Sequence, residues 1–95
     1  MEDKKKRIAV TVIGKDEVGI VAKVAAALAE SNINIVDINQ KILGDEFFAM
    51  TLFADRMNAD LSLNEITVRL KDSVKGMSLE VTVQDLEVFQ YMHRV

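Results

Sequence analysis

The segment "RIAVTVIGKDEVGIVAKVAAALAES", Arg7–Ser31, changes its hydrophobic period halfway along. Arg7–Gly14 is rich in β-branched residues and stops at a glycine, the pattern of a strand. From Val18 to Ser31, Ile20, Val21, Val24 and Leu28 recur at helical spacing, with Glu17, Lys23 and Glu30 near the opposite side, so an amphipathic helix is expected there. Asp16 stands where its carboxylate could accept a hydrogen bond from the first helical turn as an N-cap. Ala25, Ala26, Ala27 and Ala29 favour helix and leave it a thin side.

Working outward, "SNIN" breaks the helix and "IVDINQKIL" (Ile35–Leu43) reads as a second strand. Gly44-Asp45 is expected to be a two-residue hairpin loop of type II′, because a leading glycine suits that turn. "EFFAMTLFA" (Glu46–Ala54) returns as a third strand, so Phe47 and Phe53 point to the face opposite Phe48. Whichever way that strand turns, at least one phenylalanine points away from the helices and invites a partner subunit or the C-terminal segment. "SLNE" (Ser62–Glu65) matches a capping box and opens a second helix with the stripe Leu63, Ile66, Leu70 and Val74, ending before Gly76. "MSLEVTVQ" (Met77–Gln84) alternates apolar and polar as a half-buried fourth strand. For the last stretch, 85–95, a short helix capped by Asp85 is favoured, with Leu86, Phe89 and Met92 packing down; an extension of the strand is the other reading.

The order β-α-β-β-α-β with one hairpin in the middle predicts an α+β, ferredoxin-like fold: a four-stranded antiparallel sheet with two helices on one face. The chain divides into a loose tail at 1–6, a domain at 7–84 and the extension at 85–95.

With 95 residues, 49% apolar and 28% charged, the composition is that of one small globular domain and not of a disordered chain. No apolar run approaches the roughly 20 residues that cross a bilayer, and the basic start lacks the apolar stretch of a secretion signal, so no membrane partner is expected. The chain has no cysteine, which removes disulfides and thiolate metal sites and fits the cytoplasm. A net charge of −3 argues against a nucleic-acid partner, and the cluster Lys4–Arg7 reads as a solvated terminal run.

The loop Gly14–Gly19 has the spacing of the first half of a phosphate-binding loop, but Ile20 and Val21 stand where lysine and serine or threonine are needed. Asp16 and Glu17 would also repel a polyphosphate. What remains is a helix N-terminus, whose backbone N–H groups and dipole suit a carboxylate. Asp16 could hold an ammonium group. Asn34, expected at the same end of the sheet, offers a donor and an acceptor. The same residues have a plainer use: Gly14 and Gly19 for the turn, Asp16 as a cap, Asn32 and Asn34 for a tight connection.

At this point "VTVIGKDEVGIVAKVAAALAESNINIVDINQ" resembles an ACT domain, the small regulatory fold with which enzymes of amino-acid metabolism sense their products. The resemblance covers about Arg7 to Gln84. More narrowly, the chain resembles small stand-alone single-ACT proteins, themselves similar to the ACT halves of the glycine-cleavage-system transcriptional repressor. One departure is that Glu17-Val18 replaces the Arg-Pro or Lys-Pro of many members, which loosens the loop and disfavours an acidic ligand. The resemblance implies a homo-oligomer, with first helices and second strands paired and an amino acid bound at the junction. It implies ligand-binding roles for Asp16, Val18, Gly19 and Ile20 in the loop and for Asn34 on the partner's strand. Gly14, Asn32, Asp37 and Asn39 rank second. No cofactor or metal is implied.

Three other functions compete. Catalysis is disfavoured because the one histidine, His93, lies two residues from the C-terminus, too isolated for a triad or a His-based metal site. An RNA-binding domain shares the element order, and the third strand carries phenylalanines. Against it, Asp45 and Glu46 replace that motif's basic start and the first strand has no aromatic. A ligand-free ACT-type dimer acting as a protein-interaction module uses the same residues and stays open. The reading is therefore a homo-oligomeric amino-acid sensor, not an enzyme, that signals to a protein partner.

Overall fold

A computed structural model describes residues 7–57 and 59–93. The elements are β1 (Arg7–Lys15), α1 (Ile20–Glu30), β2 (Asn34–Leu43), β3 (Phe47–Asp55), α2 (Leu63–Ser73), β4 (Leu79–Asp85) and α3 (Leu86–Met92). The tail expected at 1–6 and the last two residues of the extension lie outside the described residues.

The strands form one antiparallel sheet in the order β2-β3-β1-β4. Alternation along β1 and β3 sorts their side chains cleanly. Ile8, Val10 and Val12 of β1 and Phe48, Met50, Leu52 and Ala54 of β3 are buried on the face that carries α1 and α2. Ile20, Val24 and Leu28 of α1 meet them, as do Ile66, Leu70 and Val74 around α2. Each large side chain buried in this layer contributes about 1.5–3 kcal/mol, and together they hold the helices to the sheet.

The expected fold class is present, with local differences. α1 begins at Ile20 and its N-cap is Gly19, at φ +94°, with no side-chain cap bond. Asp16 is not the cap because its backbone N–H donates to Glu46 O at 2.6 Å, which ties that part of the loop to the hairpin instead of to the helix. The hairpin loop has three residues, Gly44–Glu46, since Leu43 pairs with Phe47. The far end of α1 closes with Asn32 at φ +60°. Asn32 N donates to Ala29 O and Ile33 N to Leu28 O, and Ile33 is buried below, which is a Schellman closure. Asn32 therefore has a structural task of its own.

The capping box is formed as expected: Ser62 Oγ accepts from Glu65 N at 3.1 Å and Glu65 Oε1 from Ser62 N at 2.9 Å. The C-terminal segment is a helix, and it lies on the sheet face opposite α1 and α2. Phe89 of α3 packs on Phe53 edge-to-face at 5.5 Å, and the sheet-facing Ala9 is buried. Leu86 is buried as expected, whereas Met92 is 62% exposed. Asp85 makes no cap bond; its carboxylate faces Arg56 at 3.7 Å.

Candidate functional site

The loop between β1 and α1 is built from two backbone anchors and one steric constraint. Lys15 N donates to Ser78 O at 3.0 Å and Asp16 N to Glu46 O, so the loop is clamped between β4 and the hairpin. Gly14 sits so close to Ser78 that a Cβ there would be 2.1 Å from the Ser78 carbonyl oxygen. Its place in the sequence is thus explained by the strand contact alone. Beyond the clamps, Glu17 is exposed and Val18 is 98% exposed, and the chain turns into α1 through the left-handed Gly19.

Ile20 is buried, so only its backbone faces the loop. The first backbone N–H groups of α1 have no side-chain cap, and its first turn carries no acidic residue. No side chain of the first turn opposes the positive end of the helix dipole, and the Asp16 and Glu17 carboxylates precede it in the loop. The Asp16 carboxylate, next to it in the loop, supplies the opposite charge. One end of the sheet thus offers anion-accepting N–H groups beside a carboxylate.

The register corrects the expected position of Asn34. Lys15 pairs with Phe47, and Asn34 pairs with Asp55, which stands opposite Arg7. The two pairs are eight steps apart on β1, about 26 Å. Gly14, Asp16, Val18, Gly19 and Ile20 lie together at the hairpin end; Asn32 and Asn34 lie at the other. The reason is directional: α1 carries the chain back across the sheet, so β2 starts at the end where β1 started.

Asp37 and Asn39 lie between these ends. A bulge at Val36 interrupts the β2–β3 register, after which Asp37 opposes Phe53 and Asn39 opposes Thr51. Both therefore share the face away from α1 and α2. The Asp37 carboxylate accepts from Ile38 N at 2.9 Å. Glu46 and Phe47 were not among the sequence candidates, yet with Gly14 and Lys15 they line a hollow of about 370 Å³ beside the loop. Only the β1–β3 register reveals that neighbourhood.

β2 is an edge strand, exposed along nearly its whole length. Ile38 and Ile42 oppose the core residues Leu52 and Phe48, but the helices do not cover them; Ile42 is 55% exposed. Ala22, Ala26 and Ala29 are exposed on the side of α1 opposite its buried residues Ile20, Val24 and Leu28.

Among the described residues, no group of three or more His, Cys, Asp or Glu is placed to hold a metal ion, and no helix is long and apolar enough to cross a membrane. His93 is exposed, stacked on Phe89 at 4.2 Å.

Residues 6–84 match the family model described as the ACT domain. The UPF0237 protein of Methanocaldococcus jannaschii is 40% identical over 89 residues, covering 94% of this chain and 98% of that protein. An ACT domain protein from Streptococcus pneumoniae has a similar structure, with a TM-score of 0.74 at 28% identity, over 88% of this chain and 93% of that one. The ligand-free regulatory subunit of aspartate kinase from Thermus thermophilus gives a TM-score of 0.66 at 26% identity, over 85% of this chain and 52% of that one.

Proposed function

The chain belongs to the ACT domain family, and from that premise we propose that it is an amino-acid-binding regulatory domain working as a two-fold homo-oligomer. The observation that carries the reading is the bare apolar edge of β2 together with the opposite-end placement of the loop and Asn34. An exposed strand edge with Ile38 and Ile42 beside it is a template for pairing with another strand. Two β2 edges paired antiparallel around a two-fold axis continue the sheet. That axis exchanges the ends, so the partner's Asn34 arrives at the hairpin end, near Asp16.

In this arrangement the N–H groups of Gly19 and Ile20 hold the ligand's carboxylate. Asp16 and the Asn34 of the other copy hold its ammonium group, and the Val18 backbone lines the site. Glu17 disfavours an acidic side chain, so neutral amino acids are the expected class. The domain is no enzyme in this reading; it passes ligand occupancy to a protein partner, and the lack of cysteine fits work in the cytoplasm. The regulatory subunit of a kinase among its structural neighbours supports the assignment.

A thermal-shift screen against the twenty amino acids and several nucleotides tests the proposal. A ligand at ~100 times its dissociation constant adds about 2.7 kcal/mol, which raises the midpoint of a domain this size by roughly ten degrees or more. One amino acid shifting the wild type but not Asp16→Ala supports it. A flat response favours a ligand-free interaction module, a reading to which the loop's two ligand-independent backbone clamps lend weight.

A further inference from the structure

Between the two helices of the covered face lies a polar hollow of about 310 Å³. Ala27, Glu30 and Ser31 line it from the α1 side, and Arg69, Asp72 and Ser73 from α2. Each trio falls at positions i, i+3 and i+4, so each presents one helix face to the cleft. Ala27, with a single side-chain carbon, leaves the space between them open.

The hydrogen bonds divide this lining into one donor group and several acceptors. Ser31 is 7% exposed; its hydroxyl donates to Ala27 O at 2.9 Å, and its oxygen accepts from Arg69 Nη1 at 3.0 Å. The Ser73 hydroxyl donates to Leu70 O at 2.6 Å. Both hydroxyl protons are used on the helix backbone, so toward a ligand both oxygens can only accept. The Glu30 and Asp72 carboxylates are exposed, and among the described residues neither is engaged in a hydrogen bond or ion pair. Arg69 is the cation of the lining, held by a buried serine with most of its N–H groups left over. Glu65, one turn earlier, feels the charge of Arg69, but its carboxylate is already bonded in the capping box.

We propose that this cleft is a second small-molecule site, separate from the β1–α1 loop, and that it takes a basic amino acid. Charge and donor count select that class. The guanidinium offers a fixed fork to one carboxylate. Glu30 and Asp72, with Ser73 Oγ as a neutral acceptor, suit two cationic groups rich in N–H. Two carboxylates against one guanidinium leave the lining at −1, which a ligand of charge +1 neutralises. A phosphate would meet both carboxylates, and a diamine would meet Arg69. The last turn of α1 carries no basic residue, so the negative end of its dipole also favours a ligand cation beside Glu30. The hollow is at the small end of the ~300–1,000 Å³ usual for ligand pockets. The site needs no second copy, and the 11 residues of α1, about 16 Å, separate it from the loop.

Calorimetric titration of the whole chain compares three probes. They are L-lysine, L-norleucine, which lacks the terminal ammonium, and cadaverine, which lacks the carboxylate. L-lysine is expected to bind roughly ten-fold or more tighter than either, the worth of one charge-assisted contact. Arg69→Gln, with an unchanged circular dichroism spectrum, is expected to weaken L-lysine by a similar factor and to leave cadaverine no weaker. Asp72→Asn is expected to weaken both. Asp16→Ala, which acts on the loop, is expected to leave L-lysine binding unchanged, so the two sites fail independently. No binding of L-lysine at millimolar concentration overturns the inference, as does equal affinity for the three probes. Wild-type affinity for L-lysine in Arg69→Gln and Asp72→Asn overturns it too, and so does loss of L-lysine binding in Asp16→Ala alone.

Discussion

Replacing Gly14 with alanine separates a steric role for this residue from a ligand-binding one. The added Cβ would lie 2.1 Å from Ser78 O and 3.0 Å from Leu79 Cα. Both obstacles are backbone, so no side-chain rotation relieves the contact, and β1 and β4 must part by roughly 1 Å to restore van der Waals distance. The Lys15 N–H···O Ser78 bond, 3.0 Å long, then stretches to the limit of a hydrogen bond. Overpacking of this kind costs about 1–3 kcal/mol and the lost bond about 1 kcal/mol, roughly 2–4 kcal/mol together. At 4–8 °C per kcal/mol for a domain of this size, the thermal midpoint falls by about 8–32 °C. Gly19→Ala is the control: its Cβ meets only Lys23 Cε at 3.7 Å, so the positive φ is the main cost, about 1–2 kcal/mol. Thermal unfolding followed by circular dichroism without ligand reads both. A Gly14→Ala midpoint within ~3 °C of wild type would refute the steric account.

Other consequences follow from the caps, the C-terminal helix and the edge. Ser62→Ala removes a formed capping box and is expected to cost about 0.5–2 kcal/mol in urea unfolding. Glu65 is held below its ordinary value of 4.5, chiefly by the backbone N–H of Ser62, then by its hydroxyl, with Arg69 adding to the effect and desolvation opposing it. A depressed carboxyl stabilises the fold above its unfolded value, and this is lost as pH falls through the folded one; Glu65→Gln should therefore flatten the acid limb of midpoint against pH. Phe89→Ala removes the ring over Phe53 and should cost roughly 2 kcal/mol by calorimetry, less than a fully buried Phe because Phe89 is half-buried. Ile38→Lys charges the β2 edge and is expected to lower the native mass in sedimentation with secondary structure unchanged.

Much of the fold was legible because its elements are locally consistent. The β-branched run before Gly14, the 3.6-residue recurrence from Ile20 to Leu28 and the Ser62–Glu65 box each point to one structure. The misjudged details share a cause: they depend on what a residue meets across the sheet. Asp16 has the chemistry of a cap, but the Glu46 carbonyl holds its backbone three residues before the N-cap Gly19. Val36 looks like any strand residue, yet its bulge decides which face Asp37 and Asn39 share. The direction of β2 could have been read: a crossover helix of 11 residues, about 16 Å long, returns the chain to the end where β1 began. Asn34 then belongs to a site only if a second chain brings it there, which the bare edge of β2 allows.

The most direct test of that shared site is complementation between two defective variants. Asp16→Ala and Asn34→Ala are each expected to abolish binding of the amino acid found in the screen. Subunit exchange between them makes mixed dimers, in which one junction carries both defects and the other neither. With statistical exchange about a quarter of the sites regain function, and calorimetric titration of the mixture should show binding at wild-type affinity with that reduced stoichiometry. A mixture that exchanges subunits yet stays as silent as its parents would contradict a site built from two chains.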